Sequence, residues 1–208
     1  MASFEADYEG AIISHHTDIS PTLLEAYDVW LRLKGNEKLP TWKTENFLAF
    51  PSHFLQSAVL VIREAEINDF RIVYCGSGWA FAGARDATNA LVSSISPMTV
   101  AEKAGAELAE VITFAHPMKM TTNIRSRSEA PLQYDKLRMP FLDRDGDIRF
   151  VLTLEEPKTF PDKYFGIWSR TTSAENEKAM ELIAKHRKQP NYSALAAYFK
   201  GIRSPFPV

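Results

Sequence analysis

The stretch Asn68 to Ile95, NDFRIVYCGSGWAFAGARDATNALVSSI, decides how the rest of the chain is read. It opens as a strand. Phe70, Ile72 and Tyr74 fall on one face, and Arg71, Val73 and Cys75 on the other. Gly76-Ser77-Gly78 then bends the chain, because glycine reaches backbone angles that other residues avoid. Trp79, Phe81, Ala82 and Ala84 follow, a mixture of bulky and small residues suited to filling a core or lining a cavity. The glycine corner lacks the Lys-Ser/Thr of a phosphate loop and the third glycine of a dinucleotide fingerprint, so it gives no nucleotide site.

Upstream, Ala58 to Ile67 is rich in β-branched residues and reads as a strand. Asn68-Asp69 joins it to the next strand as an antiparallel hairpin. Before it, Ser20-Pro21 starts a helix: Ser caps free N–H groups and Pro suits the first turn. Leu24, Tyr27 and Leu31 follow at helical spacing with Leu23 and Trp30 beside them, and Gly35-Asn36 ends it. Tyr27, Trp30 and Leu31 are candidates for a partner surface, since Trp and Tyr are enriched at contact centres. The alternative is packing inside the domain. Residues 1–19 have few periodic apolar positions and read as an arm.

Downstream, Ser96-Pro97 starts a second helix with a stripe of Val100, Ala104, Leu108, Val111, Ile112 and Ala115. His116-Pro117 ends it. Met118, Met120, Thr122 and Ile124 alternate with polar residues, which predicts a strand with one wet face. Leu132 to Leu142 reads as the next strand, with Leu137, Met139 and Phe141 on one face and Pro140 marking a bulge or an edge. Asp143 to Asp147 is too short of ligands for a calcium loop, because the glycine position falls on Ile148 and the bidentate glutamate position on Leu154. It is better read as a hairpin turn leading into a last strand, Ile148 to Leu154. After Pro157 the aromatics Phe160, Tyr164, Phe165 and Trp168 suggest a segment laid over a surface, followed by two short helices.

The chain has 208 residues, 45% hydrophobic and 24% charged, with a net charge of −2. That is an ordinary globular balance with room for one decorated domain. No basic stripe is visible, which argues against nucleic acid as the main partner. No apolar run is long enough to span a bilayer, and the acidic N-terminus is unlike a signal peptide. A single cysteine, Cys75, excludes an intrachain disulfide and suits a cytoplasmic protein. Cys75 has no histidine close in sequence to activate it, so a nucleophilic role is disfavoured.

The order of elements resembles a PAS domain, and the closest likeness is to a bacterial family of stand-alone PAS-like proteins of largely unknown function. The residues that carry it are Tyr27-Asp28-Val29-Trp30 with Leu39-Pro40, Phe70 to Gly76, Gly83-Ala84-Arg85-Asp86-Ala87-Thr88, and Leu137-Arg138-Met139-Pro140-Phe141 with Asp145-Gly146. The resemblance covers residues 20–156 and leaves 157–208 as a C-terminal helical extension. It implies an α+β fold: an antiparallel sheet of about five strands with helices on one face, plus the N-terminal helix and the extension. It further implies a sensory or regulatory module, not an enzyme, that binds a small molecule between sheet and helices. Such a module signals to a protein partner or pairs as a homodimer. The alternative is an interaction module with no ligand. Candidate ligand-lining residues are Tyr74, Trp79, Phe81, Arg85, Ile112, Thr122 and Met139, with Arg85 the one charged member. No metal site is expected. The cofactor is unknown: haem rests on His116 alone, and a flavin–cysteine bond is disfavoured because Cys75 precedes the glycine corner.

Overall fold

The computed structural model describes residues 4–77, 87–95, 98–126 and 132–156. Among them are strands β1 (Phe4–Ile12), β2 (Val59–Glu64), β3 (Asp69–Cys75), β4 (Met118–Ser126), β5 (Leu132–Leu142) and β6 (Ile148–Glu155). Three α-helices accompany them: α1 (Pro21–Lys34), α2 (Asn46–Ala49) and α3 (Met98–Phe114). All six strands join one sheet in the order β1-β4-β5-β6-β2-β3, and every pairing is antiparallel. The α+β class is as expected, and the five expected strands do form one platform. The sixth is the correction, because part of the N-terminal arm is a strand. Phe4 to Ile12 pairs along its length with β4. At Gly10 the strand passes close under α3: a Cβ there would lie 2.8 Å from Glu110 Oε2 and 3.1 Å from Met120 Sδ, the ends of flexible side chains that would have to shift.

Local signals act where the sequence places them. The Ser20 hydroxyl accepts the Leu23 N–H at 3.3 Å and caps α1. The strand expected to reach Ile67 stops at Glu64, and a 3-10 turn carries Ala65 to Ile67. Asn68 then takes a left-handed conformation at φ 51°, which asparagine tolerates better than most residues. At the β5–β6 hairpin, Asp143 Oδ1 accepts the N–H groups of Asp145 and Asp147. At Gly76 the need for glycine is close approach, since a Cβ would sit 2.3 Å from the Gln56 carbonyl oxygen.

The sheet is covered on both faces, not one. On the first face α1 and α2 bury Leu23, Trp30 and Phe47 against Leu60, Leu137, Met139, Phe141, Leu152 and Leu154. On the second, α3 buries Leu108 and Val111 against Val61, Phe70, Ile72, Met118, Met120 and Val151. β3 contributes to both cores. Leu60 pairs with Tyr74 but Val61 pairs with Ile72, so Val73 is an extra residue in the ladder. Such a bulge reverses the alternation beyond it. Phe70 and Ile72 therefore face α3, while Tyr74 joins the α1 side. The single face expected for all three is split by one residue.

Pro140 lies inside the sheet, on the central strand β5, where it pairs with Val151. The β4 ladder ends at Arg138, so the missing Pro140 N–H falls beyond the last residue pair with β4. Its carbonyl accepts the buried Trp30 indole N–H at 3.0 Å. This bond ties α1 to the sheet across 110 residues of sequence. Trp30→Phe keeps most of the apolar contact but strands that carbonyl, and should cost about 1–3 kcal/mol in urea unfolding. Trp30→Ala also opens a cavity and should cost about 3–5 kcal/mol. A Trp30→Phe variant as stable as wild type would show that the indole N–H contributes nothing.

Candidate functional site

The structure divides the residues named from sequence. Tyr74 and Met139 are buried on the α1 side of the sheet. The Tyr74 hydroxyl donates to the Leu55 carbonyl at 2.9 Å, and burial pushes its pKa well above the ordinary value. Thr122 lies on the opposite face and donates to Glu107 Oε1 at 3.3 Å. Ile112, on α3, packs half-buried against the second core. These four residues therefore do not line one cavity, because the sheet stands between them. Trp79, Phe81 and Arg85 lie outside the described residues. Tyr27 and Trp30 are spent on the domain's own core, at 7% and 1% exposure, with Leu31 packed beside them. His116 is half-buried at the end of α3, with Nδ1 3.2 Å from the Pro117 carbonyl oxygen and its ring near that of Trp30. Cys75 forms no disulfide and packs against the α3-side core.

The feature that sequence reading missed is a charged cluster under α3. Glu107 sits among the buried residues of the helix, between Ala104 and Leu108. The available signal was an acid inside the apolar stripe, where α3 meets the sheet. Its Oε2 accepts from Arg138 Nε at 3.0 Å and Nη2 at 2.5 Å, and lies 2.7 Å from Lys136 Nζ. Arg138 Nη1 donates to Thr153 Oγ1 at 2.9 Å. Antiparallel register sets Lys136 opposite Glu155 and Arg138 opposite Thr153. Two cations thus share one region with two carboxylates, and formal charges balance.

Burial acts on these groups in a consistent direction. Burial alone would push the Glu107 carboxyl up, but the charges and hydrogen bonds of Lys136 and Arg138 outweigh it, so the pKa falls below its ordinary value. Burial lowers that of Lys136, and Arg138 adds to the fall while Glu107 only partly opposes it. Perturbed ionisable groups often mark functional sites. Here side-chain exposures of 1%, 6% and 8% for Glu107, Arg138 and Lys136 leave no approach for a substrate. The cluster sets where α3 rests on the sheet, through bonds from one helix to two strands.

Access lies at the other flank of α3. A groove of about 830 Å³ separates the helix from the β2–β3 hairpin. Phe70, Val92 and Ile112 give it apolar surface, and Ala101, Gly105 and Ala109 give α3 a low wall. Gly105 is unusual, because glycine inside a helix costs about 1 kcal/mol relative to alanine. No described residue lies within 4 Å of where its Cβ would be, so packing among them does not require glycine. Among the described lining residues the charged groups are Arg63, Asp69 and Glu102. Among the described residues there is no cluster of metal-ligating side chains, and no helix is long and apolar enough to cross a membrane.

Removing one member of the buried cluster leaves the others uncompensated. Glu107→Gln should destabilise the protein by about 3–5 kcal/mol at neutral pH, whereas Glu107→Leu combined with Lys136→Met, Arg138→Met and Glu155→Leu, which leaves no buried charge of the cluster behind, should be neutral or stabilising. The pH dependence has a definite sign. Glu107 has a depressed folded pKa, so its contribution is present above its ordinary value of 4.5 and is lost as pH falls through the folded value. Lys136 is depressed from 10.5, so the unfolded chain holds that proton more tightly and stability rises as pH climbs toward that value. Urea midpoints across pH should show the acid loss in wild type and a weaker one in Glu107→Gln. No family model matches the chain, and neither a curated protein nor a solved structure matches it.

Proposed function

We propose that this protein is a PAS-like sensory or regulatory module, cytoplasmic and not an enzyme. It takes a small molecule between the sheet and α3 and passes the signal on by contact with a protein partner or a second copy. The observation that carries this reading is the groove between α3 and the β2–β3 hairpin, lined by both apolar and charged side chains. Binding sites are typically concave and mostly apolar, with a few polar groups that fix orientation. Further support comes from the joining of the two segments around Asn68-Asp69 and the three after His116 into one antiparallel sheet. The burial of Tyr27 and Trp30 favours this reading over an interaction module built on that helical face. A ligand in the groove would touch the flank of α3 opposite its ionic anchor, and so would bias the seating of the helix.

The test is a thermal-shift screen against small metabolites, with Gly105→Leu beside wild type. Gly105 has open space at its Cβ position among the described residues, and leucine is the better helix former. The variant should fold at least as stably as wild type, yet lose any ligand-induced rise in Tm. A full library without a wild-type shift, or hits that Gly105→Leu binds equally well, would remove the groove as the site.

A further inference from the structure

Arg63 gives the groove a chemical preference, an inference that rests on the reading of the groove as the ligand site. It follows Val59 and Val61 at alternate positions of β2, and those two valines pack into the α3-side core. Side chains two apart share a face of the sheet, so Arg63 belongs to the face that α3 covers. It stands opposite Phe70 in the hairpin register and lines the groove with it. Arg63 is half-buried, and its guanidinium forms no ion pair or hydrogen bond with any of the described residues.

The other arginine of the hairpin is paired. Arg71 Nε donates to Glu64 Oε1 at 2.6 Å, and its Nη1 donates to the Asn89 carbonyl at 2.9 Å. Arg63 has no such partner among the described residues. A guanidinium is a planar fork that matches a carboxylate, and a half-buried one gains most from a charged acceptor. The two acids on the lining narrow the choice. Asp69 already accepts the N–H of Phe70 at 2.7 Å, and Glu102 is exposed. With one cation and two carboxylates among its described lining residues, the groove disfavours a dianion and tolerates a single negative charge. Phe70, Val92 and Ile112 offer apolar contact, and the absent side chain of Gly105 leaves depth for it.

We infer that the groove selects monocarboxylates with an apolar body, the carboxylate on Arg63 and the body between Phe70 and the small wall of α3. The test uses phenylacetate and its neutral isostere phenylacetamide, titrated into ¹⁵N-labelled protein with affinities read from amide shifts. Phenylacetate should move the amides of the β2–β3 hairpin and of α3 around Gly105. Phenylacetamide should bind at least tenfold more weakly, and Arg63→Gln should abolish that difference. Equal binding of the two probes to wild type, which needs no variant, overturns the assignment to Arg63 and leaves the groove reading standing. Discrimination that survives Arg63→Gln overturns it likewise. If neither probe moves the groove amides, the inference fails, and the metabolite screen with Gly105→Leu decides separately whether the groove takes a ligand.

Discussion

A sheet with apolar side chains on both faces must be covered on both faces, and that constraint organises this chain. Apolar burial is the main favourable term in folding and has no direction of its own. Direction comes from a few polar contacts. Trp30 to the Pro140 carbonyl fixes α1 on one side. Glu107 to Arg138 and Lys136 fixes α3 on the other. Each joins a helix to β5, so the central strand carries the reference points for both layers. β5 alternates accordingly. Leu137, Met139 and Phe141 face α1, while Lys136 and Arg138 meet Glu107 beneath α3.

The two anchors differ in kind. The indole bond is a neutral contact inside an apolar core, and it adds to the burial around it. The ionic cluster has to overcome the desolvation of its own charges, and hydrophobic replacements often serve stability as well or better. Its value lies in geometry. Oε2 of Glu107 meets donors from two residues of β5 at once, which a sliding or rotated helix would not satisfy. An apolar stripe alone would let α3 settle in several positions of similar energy. The acid in the stripe selects one.

Much of this was legible because it is local. Caps, turns and period-two strands depend on residues a few positions apart, and Ser20, Asn68 and Asp143 each do what their chemistry suggests. The missed features depend on partners far away in sequence. β1 has alternating residues, but alanine and glycine occupy much of its less polar side, so its signal is weak until β4 pairs with it. The bulge at Val73 needs β2 as a ruler, and without it Tyr74 is assigned to the wrong face. That single residue explains why sequence alone keeps Tyr74 with Phe70 and Ile72, whereas Met139 is grouped with Ile112 and Thr122 because helices are expected on only one face of the sheet. Glu107 reads as a surface acid until Lys136 and Arg138 arrive from β5.

The same distance problem bears on the site. From sequence, Arg85 is the conspicuous charge because it follows the glycine corner, but it lies outside the described residues. Arg63 is inconspicuous, one charge near the end of a β-branched strand. Its significance comes from facing the groove with no side-chain partner among the described residues, while other charges of the domain are paired. Glu64 takes Arg71, Glu107 takes Lys136 and Arg138, and Asp143 lies near Arg149. Gly105 is left over in the same sense, as a helical glycine that no described neighbour requires. An unmatched guanidinium and an unneeded gap on the same groove are poor choices for stability alone. They are reasonable choices if something else completes them, and a ligand whose charge and bulk fit both would supply the partner and the packing that the groove lacks.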